Sequence, residues 1–140
     1  MQEKKKFYLD TCIWRDYFED RKDNLKPLGE FAFQFLKKCI KENAVIFVSD
    51  LVIEELKKDY SLEQIELMFS DFKHLIVRTV YSREQAKEAF QFQRNTKKKF
   101  PLSDVLHSIM SRDEKAILVT RDKHFEEIKI SETDLPENLL

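Results

Sequence analysis

Short apolar runs alternate along the chain with stretches whose apolar residues recur every three or four positions. A short apolar run bounded by polar residues predicts a buried strand, and three- or four-residue spacing predicts an amphipathic helix. Residues 5–9 give a first strand, and Thr11 to Glu19 a helix with Trp14 and Phe18 one turn apart. A polar connection, Asp20 to Lys26, leads to Pro27, a residue suited to a helix's first turn. Leu28, Phe31, Ala32, Phe35, Leu36 and Cys39 then mark a strong helix over 27–42. The cluster Phe31, Phe33 and Phe35 is expected to pack in the core.

Ala44 to Val48 predicts a second strand, followed by a helix that Ser49 or Asp50 can cap and that runs to about Lys58. Ser61 with Gln64, and Ser82 with Gln85, match the reciprocal capping box. The first opens a helix carrying Leu62, Ile65 and Phe69, and the second a helix reaching about Asn95. A third strand is expected over 74–80, a helix over Ser103 to Arg112, and a fourth strand over 116–119. Residues 127–130 are expected to form a short fifth strand, with an irregular or weakly helical tail from Ser131. Strands that alternate with helices predict a parallel sheet covered on both faces, with right-handed crossovers. At 140 residues the expectation is one domain spanning 1–140, with no repeat or linker inside it.

Composition narrows the function. The chain has a single glycine, Gly29. Phosphate-binding loops and dinucleotide fingerprints need several glycines close together, so no nucleotide cofactor is expected. Two cysteines, Cys12 and Cys39, make neither a disulfide framework nor a metal knuckle. The sequence has no apolar stretch near 18 residues and no signal peptide, which predicts a soluble, cytoplasmic protein without membrane contact. The net charge of −1 neither announces nor excludes a nucleic-acid partner, because local patches matter more than the total.

Candidate chemistry lies in the acids. Asp10 ends the first strand, and Asp122 follows the fourth, two residues after Thr120. In an open parallel sheet, ligands bind beyond the carboxyl ends of the strands. Asp104 opens a helix, where the helix dipole alone would also favour it. Glu54 and Glu55 are adjacent on a helix, about 100° apart, so only one of them faces a common site. Clustered carboxylates repel and raise one another's pKa unless a cation joins them. Mg²⁺ suits a few carboxylates, waters and phosphate oxygens. The basic run Arg94, Lys97, Lys98 and Lys99 is either a phosphate-contacting patch or a solvated loop. His74, His107 and His124 are linked by no metal-ligand spacing.

Four segments in order resemble the PIN-domain nucleases. They are Phe7-Tyr8-Leu9-Asp10-Thr11, Val48-Ser49-Asp50-Leu51-Val52-Ile53-Glu54-Glu55-Leu56, Leu102-Ser103-Asp104-Val105-Leu106-His107, and Ile117 through Phe125. The resemblance spans nearly the whole chain. It implies a three-layer α/β/α sandwich with a central parallel sheet of four to five strands. It also implies a Mg²⁺- or Mn²⁺-dependent endoribonuclease site acting on single-stranded or structured RNA. By the family's spacing the acidic set would be Asp10, Glu55 in preference to Glu54, Asp104 and Asp122. Asp10, Asp104 and Asp122 would be the metal ligands, and Thr120 would order the site through its hydroxyl. Cys12 and His124 stand where that family often has a polar residue and a further acid. Many stand-alone PIN domains of this length are toxins held inactive by a small antitoxin and are often dimeric. The resemblance therefore implies an antitoxin partner and a homodimer.

Other readings compete with this one. A phosphatase with Asp10 as nucleophile would carry a second Asp at position 12, where Cys12 stands. A receiver domain would place its phosphoacceptor after the third strand, where the chain has Thr79-Val80-Tyr81. A catalytically silent RNA- or protein-binding module would use the same acids only as helix caps.

Overall fold

The computed structural model describes residues 3–140. Its strands are β1 (Lys6–Leu9), β2 (Val45–Ser49), β3 (Ile76–Thr79), β4 (Ile117–Val119) and β5 (Thr133–Asp134). Its helices are α1 (Thr11–Glu19), α2 (Leu28–Glu42), α3 (Asp50–Lys57), α4 (Leu62–Phe69), α5 (Arg83–Asn95), α6 (Leu102–Asp113) and α7 (His124–Ile128). Short 3₁₀ segments occupy Ser70–Leu75 and Pro136–Leu139.

The five strands form one parallel sheet in the order β3-β2-β1-β4-β5. Phe7 pairs in register with Ile46 on one side and Ile117 on the other, so β1 is central. Its Phe7, Tyr8 and Leu9 are all buried, as a strand covered on both faces requires. Alternation along β1 assigns the layers. Phe7 packs edge-on against Phe35 of α2, with ring centroids 5.0 Å apart. Tyr8 points the other way and meets His107 of α6 at 5.6 Å. Helices α1 and α2 pack together on the Phe7 side, and α5, α6 and α7 pack on the Tyr8 side. Trp14 of α1 is fully buried and lies 4.7 Å from Phe69 and 6.2 Å from Phe72.

Local signals explain most boundaries. Asp10 accepts from the Thr11 amide at the start of α1, and Ser49 accepts from the Val52 amide at the start of α3. Both capping boxes form with reciprocal bonds, Ser61 with Gln64 and Ser82 with Gln85. Among the described residues, no helix is long and apolar enough to cross a membrane.

Three expectations are corrected. Residues 127–130 are not a strand. Phe125 and Ile128, one helical turn apart, are both buried, which fixes helix α7, and Lys129 then turns left-handed at φ 58°. The fifth strand comes later and pairs Thr133 with Leu118 and Asp134 with Val119. The third strand is shorter than 74–80, because His74 and Leu75 finish the preceding 3₁₀ segment. Of the three clustered phenylalanines only Phe35 is in the core. Phe33 is 39% exposed, beside Tyr17 and beneath the Lys37 ammonium. The Phe31 ring lies 6.0 Å from the Arg121 guanidinium.

The chain order β1, β2, β3 moves outward on one side, and β4 then returns to the other side of β1. The strand order reverses there, so a crevice opens at the carboxyl ends of β1 and β4.

The lone glycine serves a close approach. Asp20 closes α1 in a left-handed conformation, φ 49°, and the chain doubles back so that the Gly29 amide donates to the Arg21 carbonyl at 2.9 Å. A Cβ at position 29 would lie 2.5 Å from the Asp20 Cα and 2.8 Å from the Asp16 carbonyl oxygen. Backbone must move to admit it. Gly29→Ala is expected to cost about 1–3 kcal/mol, the range for overpacking. Urea unfolding checks this: the midpoint should fall with an unchanged slope, and an unchanged midpoint would show that the α1–α2 junction yields freely.

Candidate functional site

Asp10 stands one residue beyond β1, with its amide bonded to the Val119 carbonyl of β4 at 3.0 Å. It is 8% exposed. Its Oδ1 accepts from the Thr11 amide at 2.8 Å. Its Oδ2 accepts from the Thr120 hydroxyl at 2.8 Å and from the Cys12 thiol at 3.4 Å. Burial, and next the Asp10 charge, push the Cys12 pKa well above the usual thiol range, so Cys12 keeps its proton and donates. Asp10 therefore caps α1 and is oriented by two side chains as well.

Thr120 couples two strand ends. Its hydroxyl donates to Asp10 and accepts from the Asp122 amide at 3.0 Å. Asp122 in turn accepts the His124 amide on Oδ1 at 2.9 Å, a local turn that holds its carboxylate at the end of β4.

Asp104 lies in the first turn of α6, whose N-cap, Pro101, has no side chain to offer the helix. Its carboxylate is mostly buried and accepts no hydrogen bond among the described residues. Burial raises the Asp104 pKa, and the charges of Asp122 and Asp10 raise it further. His124 Nδ1 is 3.7 Å from Asp104 and 3.5 Å from Asp122. One ligand atom from each of Asp104, Asp122 and His124 lies within 4.8 Å of the others, a spacing that could hold a metal ion. His124 is an exposed histidine that groups with two acids rather than with another histidine.

The adjacent glutamates separate as helical geometry requires. Glu54 is exposed and pairs with Lys57 at 3.2 Å along α3. Glu55 turns inward, and its Oε1 accepts from the Thr11 hydroxyl at 3.3 Å and contacts His107 Nε2 at 2.5 Å. Arg15 of α1 donates to the Glu55 carbonyl at 3.1 Å and pairs with Asp59 at 2.8 Å, which ties α3 to α1. Burial works to raise the Glu55 pKa, but the bonds from His107 and Thr11 outweigh it and hold the carboxyl below its ordinary value.

Sequence reasoning missed His107. It is 1% exposed, with Nδ1 2.5 Å from the Tyr8 hydroxyl, which is itself 2.6 Å from the Ser49 hydroxyl. A signal was present. His107 lies among Val105, Leu106, Ile109 and Met110 and three residues after Asp104, and a histidine on so apolar a helix must find polar partners inside.

The basic run ends α5. Lys97 and Lys98 take left-handed conformations, and Arg94 donates to the Gln91 side chain. Lys99 reaches Glu127 of α7 at 4.0 Å, so the run lies beside the helix that His124 opens. A hollow of about 730 Å³ lies elsewhere, lined by Lys5, Lys6, Glu42 and Lys115 near the amino ends of β1 and β4.

No protein-family model and no curated relative matches the chain. Solved structures do match. The chain is similar to VapBC2 from Rickettsia felis, solved bound to a promoter DNA fragment, with TM-score 0.69 and 19% identity over 93% of this chain and 98% of that one. It is similar to FitAcB from Neisseria gonorrhoeae, with TM-score 0.62 and 13% identity over 93% and 97%. It is also similar to Mycobacterium tuberculosis VapC20, a sarcin-ricin loop cleaving toxin, with TM-score 0.62 and 11% identity over 88% and 95%. At these identities the likeness is one of architecture, and this chain has the fold of the VapC and FitB PIN-domain toxins.

Proposed function

We propose that the chain is an endoribonuclease dependent on Mg²⁺ or Mn²⁺ and the toxin of a toxin–antitoxin pair, acting as one domain over 1–140. The observation that supports this reading is the grouping of Asp104, Asp122 and His124 within 4.8 Å of one another beyond the end of β4, with the Asp104 pKa raised first by burial and then by the charges of Asp122 and Asp10. Acids so placed are relieved by a divalent cation. The donor set fits one. Asp104 and Asp122 offer the hard oxygens that Mg²⁺ and Mn²⁺ prefer, and the imidazole of His124 is acceptable to Mn²⁺.

Asp10, Asp104 and Asp122 would hold the ion, which when bound stabilises charge on a phosphodiester and acidifies a water. The chain's own groups do the arranging. Thr120 fixes Asp10 relative to Asp122 through one hydroxyl. Thr11 and His107 both bond Oε1 of Glu55, and Oε2 makes no bond among the described residues. That oxygen is left to orient an attacking water or take its proton. Arg94, Lys97, Lys98 and Lys99 are proposed to contact the RNA backbone beside the acids. The antitoxin partner is supported by structures named VapBC2 and FitAB, each solved with DNA. A homodimer is part of the same proposal.

Asp10→Asn keeps the α1 cap, because its side-chain oxygen still accepts from Thr11. Its cleavage of single-stranded RNA with Mn²⁺ is expected to fall more than about 100-fold, beyond the loss typical of a supporting residue, while its melting profile stays cooperative. Parental activity in that variant would sink the assignment. Mn²⁺ at about 100 times its dissociation constant should stabilise the parent by about 2.7 kcal/mol, seen as a rise in melting temperature. Asp104→Asn should lose most of that rise, and a silent binding module would show no rise in either protein. Replacing Lys97, Lys98 and Lys99 by Ala should flatten the dependence of log RNA affinity on log salt by about 0.7 for each phosphate no longer neutralised. An unchanged slope would return the run to a solvated loop.

A further inference from the structure

We propose that His107 is a positioning residue for Glu55, the end of a buried polar relay that runs from Ser49 through Tyr8 to the carboxylate. The proposal rests on the ribonuclease reading above and extends it to residues outside the acidic set. Ser49, Tyr8 and His107 come from β2, β1 and α6, and each is at most 1% exposed. The spacings are 2.6 Å from Ser49 Oγ to Tyr8 Oη, 2.5 Å from Tyr8 Oη to His107 Nδ1, and 2.5 Å from His107 Nε2 to Glu55 Oε1. Tyr8 and Phe125 meet the imidazole edge-on at 5.6 and 6.4 Å, which fixes the ring plane.

The order of donors follows from the last member, because the ionised Glu55 carboxylate can only accept, so Nε2 carries the hydrogen that faces it and leaves Nδ1 to accept from Tyr8. The Val52 amide donates to Ser49 Oγ, which leaves the Ser49 hydrogen free to go to Tyr8. Every group in the relay is satisfied. Apolar residues of the same shape would fill this space at no greater cost, because buried polar groups gain little net stability even when paired. What an apolar filling cannot do is hold one carboxylate oxygen and leave the other open. The relay does this, and α6 delivers it one turn from Asp104, so a single helix supplies one acid and aims another.

His107→Asn and His107→Gln separate positioning from packing. The shorter amide keeps a partner for Tyr8 but does not reach Glu55, whereas the longer one can donate to it. His107→Asn is expected to lower kcat for RNA cleavage about 10- to 100-fold with KM nearly unchanged. His107→Gln should recover a good part of that loss, with both variants melting close to the parent. Ring-nitrogen NMR gives a reading that needs no variant of His107: its hydrogen should sit on Nε2, and Glu55→Gln should shift that signal more than Asp104→Asn does. Parental kcat in His107→Asn, or a hydrogen on Nδ1 alone, would overturn the proposal while Asp10→Asn remains inactive. Full activity in Asp10→Asn would instead bring down the ribonuclease reading, and this proposal with it.

Discussion

Like charges do not gather unaided, and the constraint behind this molecule is that carboxylates are held together against their repulsion. Hydrogen bonds from the fold do the holding. Thr11 and Thr120 grip the two oxygens of Asp10, and Thr11 and His107 grip one oxygen of Glu55. Asp104 receives no such bond among the described residues, and burial first, then the charges of Asp122 and Asp10, raise its pKa. The fold therefore satisfies some of its acids internally and leaves Asp104 without a hydrogen-bond donor among the described residues.

The sheet makes this possible. Parallel strands bring their carboxyl ends to one edge, and placing β1 between β2 and β4 brings together residues from opposite ends of the sequence. Side chains of β1 serve both layers. Phe7 anchors α2 and Tyr8 reaches α6, so the strand that ends in Asp10 also carries the middle of the polar relay toward Glu55. Packing and site are built on one four-residue strand.

The sequence was legible where the signal is local. Capping boxes at Ser61 and Ser82, the apolar run before Asp10 and the stripe of α2 each require only neighbouring residues. The residues 127–130 misled because Ile128 and Ile130 alternate as a strand would, while Phe125 three positions before Ile128 decides for a helix under α6. The separation of Glu55 from Glu54 follows from helical geometry, but which of the two turns inward depends on how α3 is tied to α1 through Arg15. The partners of His107 were out of reach of any local rule, since Tyr8 lies 99 positions away and Glu55 52. His124 meets Asp104 only because α6 and α7 pack together.

The hydroxyl of Thr120 bonds a carboxylate 110 positions earlier in the chain. A contact of that span forms only after the intervening loop has closed, and its entropic cost is met by pairing β4 against β1. A growing polypeptide thus carries Asp10 and Glu55 long before it can orient them. The orientation of both acids waits on the arrival of the last quarter of the molecule, which brings Thr120 and His107, so the arrangement exists only in finished copies.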